Sequence, residues 1–237
     1  MSNLVIDVGN TRVKWGVFEH GQLLRTGSEG DRNNPLKDTA AFSKVIVSSV
    51  REVYELDLPE NKTIFFDRKT AIPLQIEYET PKTLGLDRVA GAVGAYTEFP
   101  NTDCLLIDAG TCVTYDLITK KAIFKGGAIA PGLQMRLSSM HRFSEKLPKV
   151  SLQGDRGLNY PAQSTVASME TGALLGIKHE IQGYISDLKE DFPDLHVILT
   201  GGDASYFESK IKAPIFVRPE IILTGLNRIL LHNEIHA

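Results

Sequence analysis

Apolar residues recur along this chain in two rhythms. Leu4-Val5-Ile6, Val45-Ile46-Val47, Leu105-Leu106-Ile107 and Val197-Ile198-Leu199 are continuous runs with the length and β-branched content of buried strands. Val13, Trp15 and Val17 alternate with other residues, as do Leu74, Ile76 and Tyr78 and again Val113, Tyr115 and Leu117, which predicts strands with one face on a core. A turn at His20-Gly21-Gln22 makes Leu4 to Arg25 a β-meander, and Thr63 to Phe66 reads as a further short strand. The second rhythm is helical. It runs through Arg88 to Phe99, through Leu133, Leu137 and Met140, and beyond Pro219 through Ile222, Leu226 and Ile229. The longest helix is capped by Ser164 and keeps its spacing through Val166, Met169, Ala173, Ile177, Ile181, Tyr184 and Leu188. Residues 27 to 43 and 144 to 163 lose periodicity and read as loops, the first with room for one short helix. Residues 51 to 58 are helix-compatible, and Gly126 to Gly132 reads as a glycine-rich turn. Strands alternating with helices predict an α/β fold.

Two of the strands end in the same way. Leu4-Val5-Ile6 delivers Asp7 to the turn Val8-Gly9-Asn10-Thr11-Arg12, and Val13 and Lys14 lead out of it. Leu105-Leu106-Ile107 delivers Asp108 to Ala109-Gly110-Thr111, 101 residues later. Strand, turn chemistry and outgoing alternating strand repeat together, so the chain reads as an internal duplication with halves 1–101 and 102–237. Glycine lets backbone N–H groups approach a ligand closely, while Thr11, Lys14 and Asp7 add a hydroxyl, a cation and a carboxylate. That mixture suits a metal–triphosphate, and equally a plain hairpin turn. Asp87 opens the helix that follows Gly85, where the dipole favours an anion. It reads either as an N-cap or as a catalytic carboxylate. The small residues Ala90, Gly91, Ala92, Gly94 and Ala95 behind it predict close packing of that helix on a neighbour.

Composition narrows the partners. Lys and Arg total 26 against 29 Asp and Glu, a net charge of −3, and no basic cluster of nucleic-acid-binding density occurs. Nucleic acid and membrane are therefore not expected partners. The N-terminus enters a strand without the basic flank and apolar core of a signal peptide, and no apolar run approaches the roughly 20 residues a bilayer needs. A cytoplasmic protein is expected. Cys104 and Cys112 make neither a disulfide framework nor a zinc site and read as core or near-core residues. The six histidines show no ligand spacing.

Neither GxxxxGK[ST] nor GxGxxG is present, so a nucleotide would be held by other means. Two Asp-x-Gly hairpins facing each other across a cleft would grip a triphosphate, and Gly201-Gly202 would lie against adenine. Asp7 to Lys14, Gly85-Leu86-Asp87-Arg88, Asp108-Ala109-Gly110-Thr111, Gly126-Gly127 to Pro131-Gly132, Thr165 to Gly172 and Thr200-Gly201-Gly202 together resemble the type III pantothenate kinases. These belong to the acetate-kinase, sugar-kinase, Hsp70 and actin superfamily, and the likeness runs nearly end to end. It implies two duplicated RNase-H-like (actin-like ATPase) domains with a cleft between them. It also implies ATP-dependent phosphorylation of pantothenate at its primary hydroxyl, opening coenzyme A synthesis.

Carried over by position, the resemblance makes Asp7, Val8, Gly9, Asn10, Thr11, Arg12, Val13 and Lys14 the first ATP-binding loop, with Asp7 near Mg²⁺. Thr111 joins on the ATP side. Asp87 becomes the base for the pantothenate hydroxyl, with Gly85, Leu86 and Arg88 lining the substrate pocket and Tyr78 and Thr165 touching substrate. Asp108 matches the ligand of a monovalent cation, K⁺ or NH₄⁺. The duplication alone would make Asp108 a second Mg²⁺ ligand, and Tyr78 reads equally as a packing residue. A homodimer is implied as well. Two rival readings are a kinase of this superfamily with another small acceptor and a non-catalytic regulatory or transcription accessory protein on the same fold. Gly85 to Arg88 with Thr165 favour pantothenate over the first; Asp87 and the absence of basic patches weigh against the second.

Overall fold

The computed structural model describes residues 2–9, 12–49, 56–152 and 160–235. In chain order the elements are β1 (Ser2–Val8), β2 (Val13–Glu19), β3 (Gln22–Ser28), β4 (Lys44–Ser49), β5 (Thr63–Phe65), β6 (Gln75–Ile76) and helix α1 (Leu86–Glu98). There follow β7 (Cys104–Ala109), β8 (Cys112–Thr119), β9 (Ile123–Pro131), α2 (Leu133–Arg142), α3 (Thr165–Asp191), β10 (His196–Thr200), α4 (Ala204–Phe207), β11 (Phe216–Val217) and α5 (Ile221–Ile235). The fold is α/β.

Duplication is visible in the strand order. The first sheet runs β3-β2-β1-β4-β5, with β1 antiparallel to β2 and parallel to β4, and β4 parallel to β5. The second runs β11-β10-β7-β8-β9-β6, with β7 parallel to β10 and β10 parallel to β11. Read from β9, it repeats the first sheet's order, and β6 is one strand added at the edge. In both sheets the central strand is the one that ends in Asp-x-Gly.

The chain divides into two compact units. Met1–Asn101 forms the first together with Ile118–Lys125, the tip of the β8–β9 hairpin, and Glu220–Ala237, which carries α5; Thr102–Leu117 and Gly126–Pro219 form the second. In the first unit Leu4, Ile6 and Val8 of β1 join Val13, Trp15, Val17, Val45 and Val47 in one core cluster. Alternation then turns Asp7 to the opposite face with Val5 and Gly16, where Leu223 of α5 packs. Helix α1 lies against α5. Its small residues are what the contact requires: an added Cβ would stand 2.0 Å from the Ile221 carbonyl at Gly94, and at Gly225 it would stand 1.8 Å from the Ala90 carbonyl. The second unit packs Leu105, Ile107 and Ala109 of β7 with Leu137 of α2 and Ile177 of α3.

Gly126 to Pro131 is not a turn but most of β9. Gly126 takes φ +88°, and Gly127 passes so close to β8 that a Cβ would overlap the Tyr115 carbonyl. The glycines serve strand contact, not reversal. Leu74 to Tyr78 shrinks to the two-residue β6, an edge strand with a single partner. In α3 the buried stripe passes through Ile185, leaving Tyr184 38% exposed. Residues 51–55 of the expected helix lie outside the described residues, and 56–58 are not helical.

Candidate functional site

The first hairpin is closed by the Gly9 N–H donating to the Arg12 carbonyl at 3.0 Å. Asp7 stands opposite Lys14 on β2 and beside Ser48 on β4. Val8 and Val13 are buried, so only their main chain can face a nucleotide, while Arg12 is exposed and Lys14 half-buried. Asn10 and Thr11 lie outside the described residues. Burial pushes the Asp7 carboxyl up to about 6; the negative charge of Asp87 adds to the rise, and Lys14 opposes it. The charge of Asp87, at the start of α1, thus adds to what burial does to Asp7 at the end of β1, and a cation would relieve both.

Asp87 sits in the first turn of α1, exposed, with Oδ1 accepting the Arg88 N–H at 2.9 Å. The residue before the helix is Gly85, which offers no side-chain cap. A Cβ there would stand 2.4 Å from Asp87 Oδ1. Only that flexible carboxylate would need to move, so Gly85→Ala should leave the melting temperature nearly unchanged while displacing the group itself. With Asp87 expected as the base, such a displacement should lower kcat about 10-fold or more, the scale of a small misplacement of a reacting group. An unchanged kcat would show that the carboxylate position does not matter.

Arg88 is buried, with its guanidinium 5.8 Å from the Tyr78 ring centre and 5.7 Å from that of Phe124. The two rings lie 6.2 Å apart at 55°. Parallel pairing of β6 with the start of β9 brings Tyr78 to this place, and the Glu77 N–H donates to the Phe124 carbonyl at 3.0 Å. Tyr78 therefore does pack, on Arg88. Phe124 is a member of this group that no local sequence signal marks, since adjacent Ile123 and Phe124 show no alternation. Leu86 is half-buried beside Asp87.

In the second unit the turn is tighter. The Gly110 N–H donates to the Cys112 carbonyl at 2.9 Å, leaving Gly110-Thr111 alone between β7 and β8, two residues fewer than between β1 and β2. Thr111 is exposed and Asp108 half-buried. Gly201, at φ +97°, lies so close that a Cβ would stand 2.3 Å from the Ala109 carbonyl and 2.5 Å from Asp108 Oδ1. The Asp203 N–H donates to that same carbonyl at 2.9 Å. Carboxylate and carbonyl oxygens are the donor set of a hard cation such as K⁺. Thr165 opens α3 next to Ser164, whose hydroxyl accepts the Ala167 N–H at 3.2 Å. It is exposed on an open groove of about 650 Å³ lined by Met140, Leu147, Gln163, Ser168 and Met169.

In the first unit the charge of Asp87 thus reaches Asp7, and Tyr78 and Arg88 are joined around Phe124. In the second it gathers Asp108, Gly110 and Thr111 around Gly132 and Gly201. Among the described residues no helix is long and apolar enough to cross a membrane.

The model of the type III pantothenate kinase family matches residues 3–187. A type III pantothenate kinase from Cytophaga hutchinsonii is 43% identical over 235 residues, covering 98% of this chain and 99% of the relative. One from Phocaeicola vulgatus is 39% identical over 242 residues, with 98% and 99% covered. Among solved structures, a candidate Baf family transcriptional activator from Campylobacter jejuni aligns with TM-score 0.62 at 22% identity, covering 98% of each chain. A candidate N-acetylmannosamine kinase from Listeria monocytogenes aligns with TM-score 0.56 at 13% identity, covering 99% of this chain and all of the other. Those two likenesses show the fold, that of duplicated RNase-H-like domains, and the sequence matches show that the chain belongs to the type III pantothenate kinase family.

Proposed function

We propose that this chain transfers the γ-phosphoryl group of ATP to the primary hydroxyl of pantothenate, giving 4′-phosphopantothenate for coenzyme A synthesis. Its family acts with ATP and a divalent metal. The observation that carries the reading to these residues is the Asp7 carboxylate at the end of β1, opposite Lys14 across the first hairpin and close enough to Asp87 of α1 to be raised by its charge.

Phosphoryl transfer asks a protein mainly for positioning and charge stabilisation. The loop closed by Gly9 would hold the phosphates through main-chain N–H groups other than that of Gly9, which the Arg12 carbonyl takes, with Lys14 as the nearby cation. Asp7 would hold Mg²⁺, which neutralises charge on the triphosphate when bound. Asp87 accepts the hydroxyl proton. Gly85 and Leu86 border that carboxylate, Arg88 and Tyr78 form the wall behind it, and Thr165 contacts substrate from α3. Thr111 meets ATP from the second hairpin, and Asp108 with carbonyl oxygens holds K⁺ or NH₄⁺. Free Cys104 and Cys112 support a cytoplasmic setting. The resemblance supports a homodimer, as do Phe143 and Tyr160, 84% and 83% exposed in the second unit.

The test is ADP release with pantothenate, glucose or N-acetylmannosamine as acceptor, in K⁺, NH₄⁺ or Na⁺. Release is expected only with pantothenate, and to fall at least about 10-fold in Na⁺ as the Asp108 site loses its cation. Equal release with a sugar would favour another acceptor; equal rates in all three salts would remove the role given to Asp108.

A further inference from the structure

Arg136 lies one turn into α2, a turn that holds no acidic residue. A cation there opposes the helix dipole, so helix stability does not account for it. Its guanidinium points in two directions at once. Nε donates to the Pro131 carbonyl at 2.8 Å, and Nη2 donates to Glu180 Oε2 at 2.6 Å. Glu180 comes from the middle of α3, and the Tyr115 hydroxyl on β8 donates to the same oxygen at 3.4 Å. The next link is main chain. Pro131 precedes Gly132, whose N–H donates to the Thr111 carbonyl at 3.1 Å. The approach is so close that a Cβ on Gly132 would stand 2.2 Å from the Gly110 carbonyl and 2.5 Å from that of Thr111. A continuous series therefore runs from α3 through Arg136 to the second Asp-x-Gly hairpin.

We propose that Arg136, anchored by Glu180, is a positioning residue for that hairpin, fixing where Gly110-Thr111 meets ATP. This rests on the reading that Thr111 contacts the nucleotide. The side chains of Arg136 and Glu180 are 18% and 37% exposed, so the ion pair is partly screened by solvent and its contribution to global stability is modest. A purely structural role would therefore show as a slight loss of stability and nothing more. A positioning role weakens the nucleotide side selectively.

The experiment compares Arg136→Met, Arg136→Lys, Glu180→Gln and Thr111→Val in the full chain. It reads the dissociation constant of a non-hydrolysable ATP analogue with Mg²⁺, KM for ATP and for pantothenate, and the melting temperature. Arg136→Met is expected to weaken the analogue and raise KM for ATP by about 10-fold, with KM for pantothenate within about 2-fold. Arg136→Lys keeps a cation but not the fork and should recover part of the loss. Glu180→Gln acts in the same sense, and added to Arg136→Met it should change nothing further, because Glu180 works through Arg136. Unchanged analogue affinity in Arg136→Met, equal losses for both substrates, or additive effects in the double variant would overturn the proposal. Thr111→Val separates the layers. If it leaves ATP affinity intact, the reading of Thr111 itself fails; if it weakens ATP while Arg136→Met does not, only the positioning role fails.

Discussion

Asp87→Asn is expected to lower kcat by about 10²- to 10⁴-fold, the contribution of a positioned general base, while the affinity for ATP changes little. The substitution keeps the size of the side chain and an oxygen able to accept the Arg88 N–H, so α1 should start as before. What is lost is the acceptor for the hydroxyl proton. Single-turnover kinetics with pantothenate, beside binding of a non-hydrolysable ATP analogue, separates the two effects. A variant that turns over at the native rate would remove Asp87 as the base. Its exposure is consistent with its role: the acceptor hydroxyl arrives from solvent, and the carboxylate must reach it.

Asp7→Asn should do two opposite things. Activity falls by about 10²- to 10³-fold, the loss typical of one charged contact to a transferring phosphoryl group. The ligand-free protein, however, becomes more stable at neutral pH. The folded chain holds the Asp7 proton up to about pH 6, whereas the ordinary value is 3.8. Between those values the folded state binds more protons at Asp7 than the unfolded one, so the Asp7 contribution to stability is most favourable below about pH 4 and falls as pH rises to about 6. Above that the penalty is complete, on the order of 3 kcal/mol. The Asn variant lacks a charge to bury, and its stability should not show that decline. Urea unfolding of both proteins without nucleotide, from pH 4 to pH 8, measures the difference. Parallel curves would mean that Asp7 carries no such strain. A carboxylate kept at this cost is one whose charge is useful when a cation and phosphates arrive.

The four buried runs, the two Asp-x-Gly hairpins and the Ser164 cap were legible because each is a local signal: an apolar stretch, a turn residue, a hydroxyl before a helix. Strand order was not. That β9-β8-β7-β10-β11 repeats β3-β2-β1-β4-β5 depends on pairings between distant segments, and periodicity says nothing about partners. The small residues of α1 announced a close neighbour but could not name it; Gly225 on α5, far along the chain, supplies the other half of the contact. Gly126 and Gly127 misled for a physical reason, since glycine marks both chain reversal and close strand approach. Ile181 is followed in α3 by apolar residues at both 184 and 185, and the helical period alone does not choose between them. At the site, Asp7, Asp87, Asp108 and Thr111 stood out through turn chemistry and family likeness. Phe124 and Arg136 did not, because a ring under a guanidinium and a fork between helices exist only once tertiary contacts are made.

The identity of the acceptor is read most directly from the product. Incubating the full chain with Mg²⁺, ATP, K⁺ and pantothenate, and following phosphorus by NMR with mass spectrometry of the products, should show one phosphomonoester on the primary hydroxyl of pantothenate for each ADP formed. ADP formed without any phosphorylated pantothenate, or at the same rate when pantothenate is left out, would contradict pantothenate as the acceptor.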